Sequence, residues 1–260
     1  MLDAHFHLLS MEEKEIDVKS HLRLCKDSEV FALLDMGTRE DDINKRASYF
    51  NDGYPLYFAS GIYPENVTRL NSESKIDEAV STLASGIKNS NIPHKAIGEI
   101  GIELFHDVGH LELQLYLLEK QIMLANSLNL PVVIHNRNAD SVVLNQLKKT
   151  MPTKGGVIHC FSSDKKAAFD FLDLGLKLSF SGNITYKNNI TLQEAIVKVP
   201  LSSILIETDS PYLTPQPVRK FPNSPIYIGY TYEAVSQLKN QKIQNIITAV
   251  KENFSNLFLS

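Results

Sequence analysis

Cysteine is nearly absent: the 260 residues hold only Cys25 and Cys160. The two stand in unrelated contexts, which argues against a disulfide framework and fits a reducing compartment. No apolar run approaches the roughly 20 residues needed to cross a bilayer. The opening MLDAHFHLLS is too short and too polar for a secretory signal. The expected location is therefore the cytoplasm, away from membranes. Basic charge is also scarce, because 26 Lys and Arg face 30 Asp and Glu, for a net charge of −4. That balance excludes the broad positive face of a protein that grips long duplex DNA, and confines any nucleic-acid role to chain ends or a small local site. Repeats, low-complexity tracts and long linkers are missing as well. What is present is ordinary globular composition, long enough for one large core, so a single domain over residues 1–260 is expected.

Short apolar runs recur along the chain, bounded by Gly, Pro or polar turns. They are Leu2 to His7, Val30 to Gly37, Leu56 to Ile62, Ala96 to Gly101, Pro131 to His135, Gly156 to Cys160, Leu176 to Gly182 and Ser203 to Thr208. Several are continuous rather than alternating, as in Val132-Val133-Ile134, and strands buried on both faces of a parallel sheet have that character. Helical patterns lie between them: Glu12 to Lys26, Arg39 to Phe50, Ser74 to Asn89, Leu111 to Leu128, Ala139 to Lys149, Lys165 to Leu174, Thr191 to Val199 and Glu233 to Phe258. Eight alternating units give a closed barrel or an open doubly wound sheet.

The polar residues decide between the two. His5 and His7 end the first run, Glu99 sits late in the fourth, His135 closes the fifth, His159 nearly closes the sixth, and Asp209 follows the eighth. An α/β fold of the (β/α)8 TIM-barrel type brings the C-terminal ends of its strands to one mouth, where its active site is expected. An open sheet would spread the first and eighth strands apart. Residues two apart on a strand share a face, so His5 and His7 point together and Phe6 points away. The same alternation turns His159 inward and makes Cys160 a packing residue. A lone strand histidine is more often a hydrogen-bonded core residue than a ligand. Four imidazoles and two carboxylates ending five strands are another matter, because burying them without a cation is costly. A donor set of imidazole and carboxylate without thiolate suits Zn, Mn, Fe or Mg. Six ligands exceed what one catalytic ion takes, so two divalent ions sharing a bridging carboxylate are expected. His21, His94, His106 and His110 lie away from strand ends and receive no ligand role.

The motifs resemble those of the TatD family of metal-dependent deoxyribonucleases, within the amidohydrolase-like barrels, over nearly the whole chain and in order. DAHFH, GEIGIE, PVVIHNR, VIHCFSS, LSFSGNITYKN, IETDSPYLTP and the tail KENFSNLF each match a family segment. The resemblance implies that His5, His7, Glu99 and Asp209 hold one ion. It also implies that Glu99 bridges to a second, completed by His135 and His159. It further implies hydrolysis of phosphodiester bonds at the 3′ ends of DNA, with DNA ends, single-stranded by preference, or another nucleotide-containing substrate as the partner and no obligate protein partner.

In that reaction an activated water attacks phosphorus, and Asp209 and Glu99 are the catalytic carboxylates. Arg137 and Arg219, with Lys187 behind them, are candidates to hold phosphate oxygens. Tyr63 and Tyr212 are candidates to stack a terminal base, whereas Phe161 is better suited to packing. Departures from the family pattern at Tyr63, Glu103, Asn138 and Val218 are read as changes to the substrate rim that spare every ligand. Two other readings compete. One is an amidohydrolase or lactonase on the same barrel. Many of these bridge their metals with a modified lysine, whereas here Glu99 holds that place. The other is a metal-containing binding protein without catalysis.

Overall fold

Continuous apolar runs become strands here because both faces of each are covered, and eight strands form at the eight expected places. The structure is a computed structural model and describes residues 1–28, 30–50, 56–106 and 109–260. The strands are β1 (Leu2–Phe6), β2 (Ala32–Met36), β3 (Leu56–Ser60), β4 (His94–Glu103), β5 (Val132–Arg137), β6 (Gly156–Ile158), β7 (Lys177–Phe180) and β8 (Ile204–Ile206). They follow one another in sequence order in an eight-stranded sheet, with helices between them, which is the (β/α)8 class. Among the described residues no helix is long and apolar enough to cross a membrane. Two compact units make up the chain: Met1–Asp35, Asn51–Tyr57 and Cys160–Ser260 in the first, Met36–Phe50 and Phe58–His159 in the second.

In the first unit β1 pairs in parallel with β2 through Leu2↔Ala32 and Asp3↔Leu33, and β7 pairs with β8 through Leu178↔Ile204 and Phe180↔Ile206. A parallel bridge between Phe6 and Ser210 sets the chain beyond β8 beside β1. First and last strands are thus neighbours, as the closed topology requires. Tyr232, fully buried, fixes the start of β1 by donating its hydroxyl to the Leu2 carbonyl at 3.1 Å. The helix expected over Glu12 to Lys26 is two helices, Leu8–Glu13 and Val18–Asp27. Asp17 causes the break: its carboxylate accepts from the Ser20 N–H at 3.1 Å and caps a new helix start. The long C-terminal helix likewise divides into Ile228–Lys239 and Ile243–Phe254, where Asn240 turns left-handed at φ 50° and ends the first piece.

In the second unit β4 pairs with β3 through Ala59↔Ala96 and with β5 through Ile97↔Val132 and Ile100↔Ile134, and β5 pairs with β6. The helix Leu111–Leu128 forms as expected. It is rich in Leu, a strong helix former, and Asn129 ends it in the left-handed region. Its buried stripe is Gln114, Leu117, Leu118, Gln121, Ile122 and Ala125, spaced by three and four. The two glutamines are not mispatterned. Gln114 accepts from the Glu103 N–H at 2.8 Å and donates to the Glu103 carbonyl at 3.1 Å. Gln121, two turns on, does the same to Ile62 at 2.7 and 3.0 Å. One helix face therefore holds the end of β4 and the chain leaving β3. Of the expected helix from Arg39 to Phe50 only Ile43–Ala47 forms. Asp42 draws in the Thr38 and Arg39 N–H groups at 2.8 and 3.1 Å, which keeps the chain before it a loop.

Candidate metal centre

Within the first unit, backbone pairing continues past β8 and places Asp209 beside His5 of β1 and His7 just past it. The Asp209 N–H donates to the His5 carbonyl and the His7 N–H to the Ser210 carbonyl, each at 2.9 Å. Asp3 secures this join: its carboxylate accepts from the Thr208 N–H at 2.9 Å, the Thr208 hydroxyl at 2.5 Å and the His5 N–H at 3.2 Å. Burial raises the Asp3 carboxyl to about 7 despite the opposing Thr208 bonds. Asp209 itself adopts φ 55°, a left-handed conformation that Asp tolerates better than most residues. The result is a triangle of donor atoms. His5 Nε2 and His7 Nε2 are 3.1 Å apart, and Asp209 Oδ1 lies 3.7 and 3.4 Å from them.

The second unit builds a tighter triangle. Glu99 Oε1 is 2.8 Å from His135 Nδ1 and 2.8 Å from His159 Nε2, and the two nitrogens are 3.1 Å apart. All three side chains are largely withdrawn from solvent, with Glu99 only 3% exposed. Burial works against the Glu99 charge, but the His159 and His135 imidazoles outweigh it and hold the carboxyl well below the usual carboxylate range.

Both triangles fit a divalent ion. Two ligand atoms about 2.0–2.1 Å from one ion, at a tetrahedral angle, lie about 3.3 Å apart. Either set would supply two imidazole nitrogens and one carboxylate oxygen, a composition suited to Zn, Mn or Fe.

His135 also shows a feature the sequence reading missed. Its second nitrogen, Nε2, sits 3.2 Å from Glu103 Oε2 and 3.3 Å from the Tyr63 hydroxyl. Glu103 is 2% exposed and also accepts from the Phe105 N–H at 2.6 Å and the His106 N–H at 3.1 Å. Burial alone would raise its carboxyl; the His135 bond and these N–H groups lower it to about 2. With a cation bound, a carboxylate at Nε2 would keep the proton there and leave the Nδ1 lone pair for the ion, the arrangement that orients a ligating imidazole. Burial lowers the His135 imidazole, and the bonds to Glu103 and Glu99 more than restore it, so its net shift is upward. Tyr63 and Glu103 therefore bear directly on a ligand candidate, correcting the expectation that the departures spare the ligands. The signal was available: Glu99, Gly101 and Glu103 alternate along β4 and share a face. The strand was expected to end at Gly101, and it runs on to Glu103. Gly101 allows this, because a Cβ there would run into the His135 carbonyl oxygen of the paired strand.

The remaining candidates occupy the rims of their own units. Arg137 lies over the Phe105 ring at 5.3 Å. Arg219 lies over Tyr186 at 4.2 Å. Tyr212 is 44% exposed, its ring centre 6.1 Å from that of His7, with Lys14 over it at 4.2 Å. Phe161 is buried against Phe180, the packing role expected of it. Cys160, beyond β6, has its sulfur 3.4 Å from the Ser181 hydroxyl, and its N–H donates to the buried Glu207 at 2.8 Å. Among the histidines given no ligand role, His106 reaches to 3.4 Å from Glu103.

Comparison with known proteins bears on the same residues. The sequence model of the TatD related DNase family matches residues 2–259. The uncharacterized metal-dependent hydrolase YabD of Bacillus subtilis is 30% identical, the alignment covering 99% of this chain and 98% of that protein. YcfH of Escherichia coli, another uncharacterized metal-dependent hydrolase, is 31% identical over 99% of this chain and 95% of its own length. The crystal structure of YjjV, a TatD homologue from Escherichia coli, superposes with a TM-score of 0.88 at 27% identity, covering 100% of this chain and 98% of that one. With donor triangles of metal-binding composition and a family match along its whole length, the chain belongs to the TatD family of metal-dependent hydrolases.

Proposed function

We propose that the chain is a deoxyribonuclease that hydrolyses phosphodiester bonds at the 3′ ends of single-stranded DNA. Two divalent cations, Mg, Mn, Zn or Fe, belong to it. His5, His7 and Asp209 would hold one, and Glu99, His135 and His159 the other. Residues 1–260 act as one catalytic domain in the cytoplasm, without an obligate protein partner. The observation that carries this reading is the pair of donor triangles, each with two imidazoles and one carboxylate at ligand spacing. The description of the family as a DNase supports the choice of DNA.

Bound there, the cations would supply Lewis acidity to a phosphoryl oxygen and acidify water. The chain supplies the rest. Asp209, partly exposed beside His5 and His7, takes the proton of the attacking water. Glu99, held anionic by its imidazole partners, keeps its oxygen available as a ligand. Arg137, half-buried, carries charge to the nonbridging oxygens of the reacting phosphate, and Arg219, exposed, carries charge to a phosphate of the strand. Tyr212 offers an exposed ring to a terminal base. Tyr63, with its hydroxyl on His135, borders the reacting group.

The test is digestion of 5′-labelled single-stranded DNA after chelation, with Mg, Mn, Zn or Fe added back. The expected result is a ladder shortening from the 3′ end, slowed roughly 100-fold or more in Asp209→Asn. Turnover of a lactone or cyclic amide with no cleavage of DNA would overturn it.

A further inference from the structure

The loops that follow β7 and β8 form, within the first unit, an open cleft of about 530 Å³. Tyr186, Lys187, Asn188 and Asn189 line it from the β7 side, and Gln216 and Arg219 from the β8 side. Among the described residues no carboxylate lines it. Its inventory is two cations, three primary amides and one aromatic ring. The volume falls in the range of small-ligand sites.

The walls are fixed and the ligand-facing groups are free to reach. The Tyr186 hydroxyl donates to the Thr214 carbonyl at 2.9 Å, and the Tyr186 carbonyl accepts from the Gln193 amide at 3.1 Å. The Gln216 N–H donates to the Thr185 hydroxyl at 2.8 Å, tying the second loop to the first. Lys187, Asn188, Gln216 and Arg219 are exposed. Arg219 stacks over Tyr186 at 4.2 Å, which presents a flat cationic and aromatic pair to the cleft. Such a pair suits a phosphate and a base joined through one sugar. In (β/α)8 enzymes the loops after strands seven and eight are a recurrent place for phosphate.

We propose that this cleft is a nucleotide subsite. It holds the phosphate and base of a nucleotide in the substrate strand other than the one at the reacting bond, and so makes the protein favour strands of several nucleotides over a dinucleotide. The inference rests on the reading of the substrate as DNA, and it selects the substrate class within that reading: a single-stranded oligonucleotide rather than a lone terminal phosphodiester. Arg219 and Lys187 neutralise the phosphate, the ring of Tyr186 carries the base, and the amides of Asn188, Asn189 and Gln216 border it.

The experiment measures binding of a fluorescein-labelled hexathymidylate by anisotropy, in chelator and with Mn added, alongside kcat/KM for hexathymidylate and dithymidylate. Tyr186→Ala is expected to weaken hexamer binding about tenfold, the loss of one base–aromatic stack. Tyr186→Phe, which keeps the ring, stays within about twofold of the parent. Lys187→Ala, a surface change that leaves the fold in place, is expected to lower the slope of log affinity against log salt by about 0.7. In turnover these variants raise KM for the hexamer and narrow its advantage over the dimer. Hexamer binding indifferent to Tyr186→Ala and Lys187→Ala overturns the proposal, as does an equal loss on hexamer and dimer. The two readings fail separately. Pocket-dependent binding without cleavage under any metal leaves the subsite standing and removes the nuclease. Cleavage indifferent to the pocket does the reverse.

Discussion

His135 has two ring nitrogens with different tasks, and the difference is set by carboxylates. Nδ1 faces Glu99 and His159, while Nε2 faces Glu103 and Tyr63. Glu103 holds charge through its N–H donors, so with a cation bound it would keep a proton on Nε2 and leave the Nδ1 lone pair to ligate. Glu103→Gln removes that charge with little change of volume. Metal affinity is expected to fall roughly 10- to 100-fold, the usual cost of losing a carboxylate behind a ligating histidine. Competition titration against a coloured chelator measures it, and unchanged affinity would deny Glu103 this role. In the sequence Glu103 looks like a rim residue, because the apolar run of GEIGIE ends at Gly101 while the strand runs on to Glu103. The ligand candidates themselves were easier to find, since a titratable residue ending an apolar run is conspicuous in a sequence.

At the scale of the element, the eight strands were legible because parallel strands covered on both faces leave continuous apolar runs. The helices were less so, because their ends depend on single side chains. Asp17 starts a helix inside an amphipathic stretch, Asn240 stops one inside another, and Asp42 holds back a third. Periodicity is blind to such caps. It is equally blind to polar clamps such as Gln114 and Gln121, which look like interruptions of a buried face and in fact fix what lies above it. The β3–β4 pair has a further clamp. His94 opens β4, with Nδ1 at 3.1 Å from the Ser60 hydroxyl and Nε2 at 2.7 Å from that of Ser90. Burial, and then the Arg46 guanidinium, lower it from the usual imidazole range to about 4. The sign follows from which state takes the proton first. Between pH 6.5 and 4 the unfolded chain protonates His94 and the fold resists, so stability is lost as pH falls through that window and is unaffected above it. The contribution is about 2 kcal/mol at pH 5. Urea unfolding of the parent and of His94→Gln at pH 7 and pH 5 is expected to show a smaller acid loss in the variant. Equal losses would place the acid sensitivity elsewhere.

At the scale of the molecule, each unit carries its own donor triangle at the C-terminal ends of its strands. The first takes His5 from β1, His7 from just past it and Asp209 from the chain beyond β8; the second takes Glu99 from β4, His135 from β5 and His159 from just past β6. Two such triangles are more than a fold needs for stability, since buried imidazoles and carboxylates are costly unless a cation compensates them. The central claim is therefore a count of ions. Purified protein, loaded with Mn or Zn and desalted, should contain two ions per chain by elemental analysis, and the His135→Ala/His159→Ala variant should contain one. A parent chain that retains none, or one whose content is untouched by losing both histidines, would contradict the account.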